Sequence, residues 1–194
     1  MKRFLILCSF LSLVVATMFA QQADFQKAVA HFKKYTETTA TVTKTTHKNA
    51  VVGDVVDKGT LTMTRPATVT ISTNGGKDQL LMEGSKFTMV VKGRKHTTSS
   101  KSNTQFASFQ VVFESLLSGG EKDIAQLSDL VITRQGQQLV LTITPKAESK
   151  KAARRMLFSS LVLTFDTKAS ELRSLRMNER AGYTEYTFTG YKYK

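Results

Sequence analysis

The chain offers few side chains that could make or break a covalent bond. It has three histidines, His31, His47 and His96, and one cysteine, Cys8. No two histidines stand at the spacing of a zinc-binding helix, and a single cysteine does not complete a metal site. The sequence also lacks a Gly-x-Ser-x-Gly turn, a glycine-rich phosphate loop and an evident carboxylate pair for glycoside hydrolysis. We therefore predict no catalytic residues, no metal and no cofactor.

The apolar side chains point instead to ligand binding. Methionines lie in or beside the segments with strand-like alternation, at Met63, Met82, Met89, Met156 and Met177. Methionine is flexible and polarisable, which suits a surface that accepts varied apolar shapes, although for any single methionine ordinary core packing is the better explanation. A central segment adds aromatic and leucine side chains at helical spacing: Phe106, Phe109, Phe113, Leu116 and Leu117.

The first twenty residues have the layout of a secretory signal peptide. Lys2 and Arg3 precede an apolar run, and small residues up to Ala20 stand before Gln21. The run is shorter than the about 20 apolar residues that a membrane-spanning helix needs. We expect cleavage after Ala20. This removes residues 1–20, including Cys8, and residues 21–194 form a single exported domain.

The chain is strongly basic, with a formal net charge of +13. Removal of Lys2 and Arg3 leaves 26 basic against 15 acidic residues, a charge of +11. Such a field attracts anionic partners, although scattered lysines also serve simply as a solvated surface. The basic clusters at residues 92–96 and 146–155 lack interleaved aromatics for stacking bases, so we predict no nucleic-acid partner. A cationic module that binds anionic glycan or lipid headgroups remains an alternative function.

Periodicity predicts two helices in a mainly β chain. The first covers Asp24–Tyr35 and the second runs from Phe106 to Leu117, before Gly119 and Gly120. The lysine-, serine- and threonine-rich residues 95–105 predict a loop. Alternation predicts nine or ten strands joined by short turns, at residues 39–43, 55–64, 67–73, 79–82, 87–92, 130–134, 139–144, 157–165, 172–178 and 183–193.

These elements predict an α+β, mainly β fold. Consecutive hairpins form an antiparallel sheet, which must cover one face, and the two helices are the only candidates to cover it. We therefore predict a strongly curved sheet, or unclosed antiparallel barrel, whose concave face is covered by helices.

Residues 59–66, Gly-Thr-Leu-Thr-Met-Thr-Arg-Pro, carry a resemblance to a known family. The pattern Gly-x-Leu-x-x-x-Arg-Pro, placed after an amphipathic helix and a threonine-rich strand, resembles the LolA-type periplasmic carriers of outer-membrane lipoproteins. The hairpin at residues 79–90, the helix ending at residues 116–119 and the strand at residues 139–146 agree in order. The resemblance covers essentially the whole chain after residue 20. Residues 67–71 and 93–103 depart from the family pattern, which leaves cargo and exchange partners open.

The resemblance implies a periplasmic protein with helices as a lid over an apolar cavity. Such a protein takes lipoproteins from an inner-membrane transporter and passes them to an outer-membrane acceptor, and we expect it to be a monomer. The resemblance assigns Arg65 as a latch that ties the sheet to backbone groups of the lid. The same fold would also suit a protein that senses or stores a lipid or another hydrophobic ligand. The candidate cavity and lid residues are Met63, Met82, Met89, Phe106, Phe109, Phe113, Leu116 and Leu117.

Overall fold

The computed structural model describes most of the chain after residue 22. The described residues are 23–27, 29–66, 68–84, 86–91, 93–99, 107–118, 124, 129–145, 156 and 158–194. The predicted signal peptide, Phe106, the glycines at 119 and 120 and the basic segment 146–155 lie outside these ranges.

Eleven strands and two helices make up the described structure. Helix α1 covers residues 23–27 and 29–32, and helix α2 covers Ala107–Ser118. A 3₁₀ turn at Asn74–Gly76 joins two of the strands. The strands are β1 (Glu37–Lys48), β2 (Val55–Thr64), β3 (Thr68–Thr73), β4 (Asp78–Glu83), β5 (Lys86–Val91), β6 (Arg94–Ser99), β7 (Leu130–Gln135), β8 (Gln138–Ile143), β9 (Ser160–Asp166), β10 (Glu171–Glu179) and β11 (Gly182–Tyr193).

All eleven strands belong to one antiparallel sheet, in the order β6-β5-β4-β3-β2-β1-β11-β10-β9-β8-β7. Neighbours in the sheet are neighbours in sequence except at the seam where β1 pairs with β11. Strands β6 and β7 are the two edges, and they are not hydrogen-bonded to each other within the described residues. The prediction of a mainly β, antiparallel and unclosed sheet is therefore confirmed.

The register aligns apolar side chains on one face, which we call the inner face. Leu61 pairs with Ala40 on one side and with Ile71 on the other. In the second half of the sheet, Leu163 pairs with both Leu141 and Leu175. Directly paired residues project from the same face of a sheet, so these rows form a continuous apolar surface. Their members are buried in one hydrophobic cluster.

Local irregularities shape this face. At Gly59 a Cβ atom would lie 1.8 Å from the main-chain oxygen of Ser72, so only glycine allows β2 and β3 to approach this closely. In β10 the register shifts between Leu172 and Ser174, which makes Arg173 an extra residue opposite β9. Because of this bulge, Leu172 and Leu175 are both buried although they stand three residues apart.

Both helices contact the inner face. On α1, the ring of Phe25 meets that of Phe165 edge to face, with centroids 5.8 Å apart. On α2, the ring of Phe109 contacts Phe87 of β5, with centroids 6.2 Å apart. All four rings belong to the same buried cluster as the sheet residues. Neither described helix combines the length and the apolar character needed to cross a bilayer.

Two sequence expectations were wrong. The segment predicted as a loop from residue 95 begins as strand β6, which pairs with β5, so the sheet has eleven strands rather than nine or ten. Strand β6 lies at an edge with Arg94, Lys95 and His96 exposed, so it shows no apolar alternation. His96, which falls in that predicted loop, lies on β6, and His47, beyond the predicted strand at residues 39–43, lies on β1.

Candidate functional site

A cavity of about 600 Å³ lies on the inner face, at the end of the sheet where β1 turns into β2. Strands from both halves of the sheet line it, together with the residue Phe158 that precedes β9. Its apolar lining consists of Val55, Phe87, Met89, Val91, Phe158, Met177 and Tyr186.

The cavity shows how strongly the sheet bends. Met89 lies on β5 and Met177 on β10, and these strands are six positions apart in the sheet order. At about 4.8 Å per strand, a flat sheet would separate them by about 29 Å. Both side chains nevertheless line one cavity, so the sheet wraps around it.

Part of the polar lining of the cavity comes from the residues of β1 that project from the inner face. After the buried Val42, the same face carries Lys44, Thr46 and Lys48. Lys44 Nζ donates to Asp78 Oδ2 at 2.7 Å and lies 3.8 Å from a carboxylate oxygen of Asp57. The Lys44 and Asp78 side chains are only 13% and 12% exposed, so this ion pair is largely desolvated.

A second ion pair closes the other side of the cavity. Lys48 Nζ contacts Glu179 Oε2, and the second oxygen of Glu179 accepts a hydrogen bond from Thr184 Oγ1 at 2.9 Å. Burial, and next the charges of Asp78 and Glu179, raise the pKa of Tyr186 well above its usual value. The Tyr186 hydroxyl is therefore neutral at physiological pH. The cavity combines an apolar wall with carboxylates that are each held by a cation.

The described members of the predicted cavity and lid set occupy three different places. Met89 lines the cavity, whereas Met63 and Met82 are buried elsewhere on the inner face. Phe106 lies outside the described residues. The remaining predicted residues, Phe109, Phe113, Leu116 and Leu117, are buried on α2 within the hydrophobic cluster.

A side chain of strand β5 links helix α2 to the cavity. Phe87 lines the cavity and also contacts Phe109 of α2. Phe109 in turn contacts Phe113, with ring centroids 4.6 Å apart. Two polar contacts bind the first half of α2: Ser108 Oγ donates to Asp129 at 2.7 Å, and the Gln110 side chain donates to the Gly84 carbonyl.

Arg65 lies exposed at the turn between β2 and β3, where a cis peptide bond joins it to Pro66. Its Nη1 donates to the main-chain oxygen of Lys33 at 2.8 Å, and its main-chain N–H donates to Thr36 O at 3.1 Å. Both acceptors lie just after α1. Arg65 therefore ties this turn to the C-terminal end of α1.

The other end of α1 is tied to an edge of the sheet. Asp24 forms an ion pair with Arg134 of β7. Between the two ends, Phe25, Val29 and Phe32 are buried against the sheet. Helix α1 therefore extends across the inner face from β7 to the β2–β3 turn.

His31 and His47 both pack against tyrosine rings. The ring of His31 meets that of Tyr193 edge to face at 4.9 Å, and Tyr193 stacks on Tyr35 at 4.6 Å. His47 stacks on Tyr183 and hydrogen-bonds to Asp54. No group of three or more metal-binding side chains occurs among the residues that the structure describes.

Sequence reasoning missed the charged residues of the cavity, which are Lys44, Lys48, Asp57, Asp78 and Glu179. One signal was available in β1. Ala40, Val42, Lys44 and Lys48 are separated by even numbers of residues, so their side chains project from the same face of the strand. The carboxylates come from three other strands, so only the register brings them to the lysines.

Comparison with known proteins identifies a family. A family model described as "Outer membrane lipoprotein carrier protein LolA" matches residues 33–194. No curated protein matches the sequence.

Solved structures resemble this chain along most of its length. A LolA superfamily protein from Nitrosomonas europaea is 9% identical, with 89% of this chain and 93% of that chain covered and a TM-score of 0.39. The lipoprotein LppX of Mycobacterium tuberculosis is 13% identical, with 89% and 94% covered and a TM-score of 0.34. A DUF1329 family protein from Desulfovibrio piger is 9% identical, with 89% and 92% covered and a TM-score of 0.41. Because these TM-scores are low, the proposed function does not rest on these structures.

Proposed function

Since the chain belongs to the LolA family of outer membrane lipoprotein carriers, we propose that it binds the acyl chains of lipoproteins in the inner-face cavity. The protein then carries them through the periplasm, from an inner-membrane transporter to an outer-membrane acceptor. It acts without catalysis, as a monomer that is exported to the periplasm by a signal peptide, which is then cleaved.

The observation that carries this proposal is the cavity with its apolar wall. Its volume of about 600 Å³ lies within the range of about 300–1,000 Å³ typical of small-molecule sites. Phenylalanine, methionine and valine side chains supply the wall, and methionine adapts to varied chain shapes. Transfer of an acyl chain from water gains about 0.8 kcal/mol for each buried CH₂ group.

Cargo entry and release require the helices to move as a lid, and the contacts of Phe87 suggest how. An acyl chain that displaces Phe87 from the cavity wall also disturbs its contact with Phe109 of α2. Arg65 acts as the latch at α1. A hydrogen bond from a charged donor is worth about 1.5–3 kcal/mol, and the exposure of Arg65 places this bond at the lower end.

Native mass spectrometry with lipid extraction, on protein purified from a bacterial periplasm, tests the cavity. We expect stoichiometric acyl lipid or lipoprotein on the wild type. Met89→Trp fills the cavity and is expected to remove that lipid. Val131→Trp is the matched control, because Val131 is exposed on β7 and is not part of the cavity lining. A wild type without lipid, or equal loading of the two variants, would refute the proposed site.

A second experiment separates a shuttle from a protein that stores or senses lipid in the same fold. Protein loaded with a lipoprotein is mixed with outer-membrane vesicles, and the lipoprotein is followed by sedimentation. A shuttle delivers its cargo to the vesicles. Cargo that stays with the protein would favour storage or sensing.

A further inference from the structure

The protein surface next to the mouth of the cavity carries exposed apolar side chains. Within the described ranges, the exposed large hydrophobic residues are Val51, Val52, Val55, Val56, Val91 and Val131. The first four belong to the β1–β2 hairpin, and Val52 at its tip is fully exposed. Val55 and Val91 stand on different strands, yet both line the cavity. Apolar side chains thus continue from the cavity out onto the adjoining surface.

The hairpin that carries these valines is firmly held. Asn49 N donates to Ala181 O at 2.9 Å, which joins the hairpin to the β10–β11 turn. His47 bonds Asp54 across the hairpin at 2.8 Å and stacks on Tyr183. The valines are therefore presented to the surroundings by an ordered hairpin. Exposed apolar clusters of this kind mark surfaces that contact a protein or a membrane.

Basic side chains surround this apolar tip. Lys77, Arg94, Lys95 and Arg180 are exposed and form no ion pair with any described residue. Arg94 is directly opposite Val91 in the sheet, and Gly93 N donates to the Lys77 carbonyl. Arg180 precedes Ala181, which holds the hairpin. These cations therefore belong to the same end of the molecule as the valines.

Four acidic side chains at this end are already engaged. Asp57 and Asp78 face Lys44, and Glu179 contacts Lys48. Asp54 is bonded to His47. The charge left to act on a partner is consequently positive, in a chain whose net charge is +13.

We propose that this end of the molecule, the β1–β2 hairpin with Val91 and the four free cations, docks on a lipid bilayer that contains anionic lipid. The valines enter the boundary between headgroups and acyl chains, and the cations face the anionic headgroups. The mouth of the cavity then faces the bilayer. Charge complementarity favours this partner over a second copy of the chain, whose own basic tip would be repelled. Docking depends on the outer surface, so it stands or falls separately from the content of the cavity.

Vesicle flotation tests the proposal. The protein is mixed with vesicles of phosphatidylcholine, alone or with phosphatidylglycerol. We expect binding to the anionic vesicles that weakens as salt is raised. Val51→Ser/Val52→Ser should bind roughly tenfold more weakly. Val131→Ser, which alters an exposed valine on another part of the surface, should bind like the wild type.

A second variant isolates the electrostatic part. Lys77→Gln/Arg180→Gln should bind anionic vesicles more weakly and show a smaller salt dependence, with its weak binding to phosphatidylcholine unchanged. All substituted side chains are exposed, and thermal unfolding of each variant checks that the fold is retained.

Three results would overturn the proposal. They are a wild type that does not bind anionic vesicles at low salt, equal binding of the valine variant and the wild type, and equal binding of the charge variant and the wild type. Light scattering adds a further check. A wild-type dimer that is lost in Val51→Ser/Val52→Ser, without vesicle binding, would assign the hairpin to a second copy.

Discussion

The guanidinium of Arg65 donates a hydrogen bond to the main-chain oxygen of Lys33, 2.8 Å away. This bond fixes the C-terminal end of α1 to the β2–β3 turn, while the ion pair between Asp24 and Arg134 fixes the other end to β7. Helix α1 thus lies across the inner face and is held by polar contacts at both ends.

Replacement of Arg65 by leucine is expected to slow cargo release. Loss of the bond destabilises the closed empty form relative to the loaded form, by about 1.5 kcal/mol or roughly tenfold in the equilibrium. The measurement is transfer of a lipoprotein from loaded protein to outer-membrane vesicles. Arg65→Lys keeps the charge and should fall between wild type and leucine. An unchanged rate of release in Arg65→Leu would contradict the latch.

Replacement of Arg134 by alanine is expected to free the N-terminal end of α1. The Arg134 side chain is half exposed, so the cost in global stability should stay below about 1 kcal/mol. Hydrogen exchange at the first amides of α1 should nevertheless accelerate, because that end loses its attachment. Asp24→Ala should produce the same pattern. If exchange accelerates equally throughout the sheet, the effect is global and the attachment has no local role.

Replacement of Gly59 by alanine is expected to destabilise the sheet by about 3 kcal/mol or more. The new Cβ would overlap the main-chain oxygen of Ser72, which can give way only if the backbone moves. Thr60→Ala, at the neighbouring exposed position, is the control and should cost less than about 1 kcal/mol. Chemical unfolding of the three proteins gives the comparison. Similar losses for both variants would mean that β2 and β3 tolerate a wider separation.

The Lys44–Asp78 pair is expected to show strong energetic coupling. A double-mutant cycle with Lys44→Met and Asp78→Leu should give about 2 kcal/mol, because both side chains are shielded from water. The matched control is the cycle for Arg173 and Glu171, whose atoms lie 3.0 Å apart with the arginine 38% exposed. That cycle should give less than about 1 kcal/mol. Equal couplings would show that the cavity lining is as well solvated as the surface.

Alkaline pH is expected to destabilise the protein. Burial raises the pKa of Tyr186 and of Tyr191 above the ordinary value near 10. The unfolded chain therefore releases these protons first, so stability is full below about pH 10 and falls as pH rises, by up to about 1.4 kcal/mol per pH unit for each tyrosine. Denaturant unfolding between about pH 9 and 11 measures this slope. Tyr186→Phe should reduce it, and a flat profile would refute the prediction.

The sequence predicted the parts of the fold that alternate clearly. Residues 55–64 were assigned to a strand with the bounds of β2, because Leu61 and Met63 alternate with threonines. Strand β6 escapes prediction because it lies at an edge with Arg94, Lys95 and His96 exposed to solvent, so it lacks apolar alternation. Strand β1 was predicted to end at residue 43 but extends to Lys48, since the inner face becomes polar there.

The candidate site was predicted less completely than the fold. Methionine composition pointed to Met89, which lines the cavity, but equally to Met63 and Met82, which lie elsewhere in the core. The methionine content of a sequence does not indicate where a bent sheet encloses a cavity. The lysine–carboxylate pairs depend on register across several strands, which hydrophobic periodicity does not specify.

The pairing of β1 with β11 also has a consequence for folding kinetics. Strands β1–β6 and β7–β11 form two meanders of local hairpins, and Thr38 meets Tyr193 only when these meanders join. Contacts between residues so far apart in sequence are slow to form, so this seam is expected to close after the hairpins. The cavity takes its walls from both meanders. The cavity is therefore complete only after the last step of folding. Chains in which the two meanders have not joined lack the binding site and do not compete with folded protein for cargo.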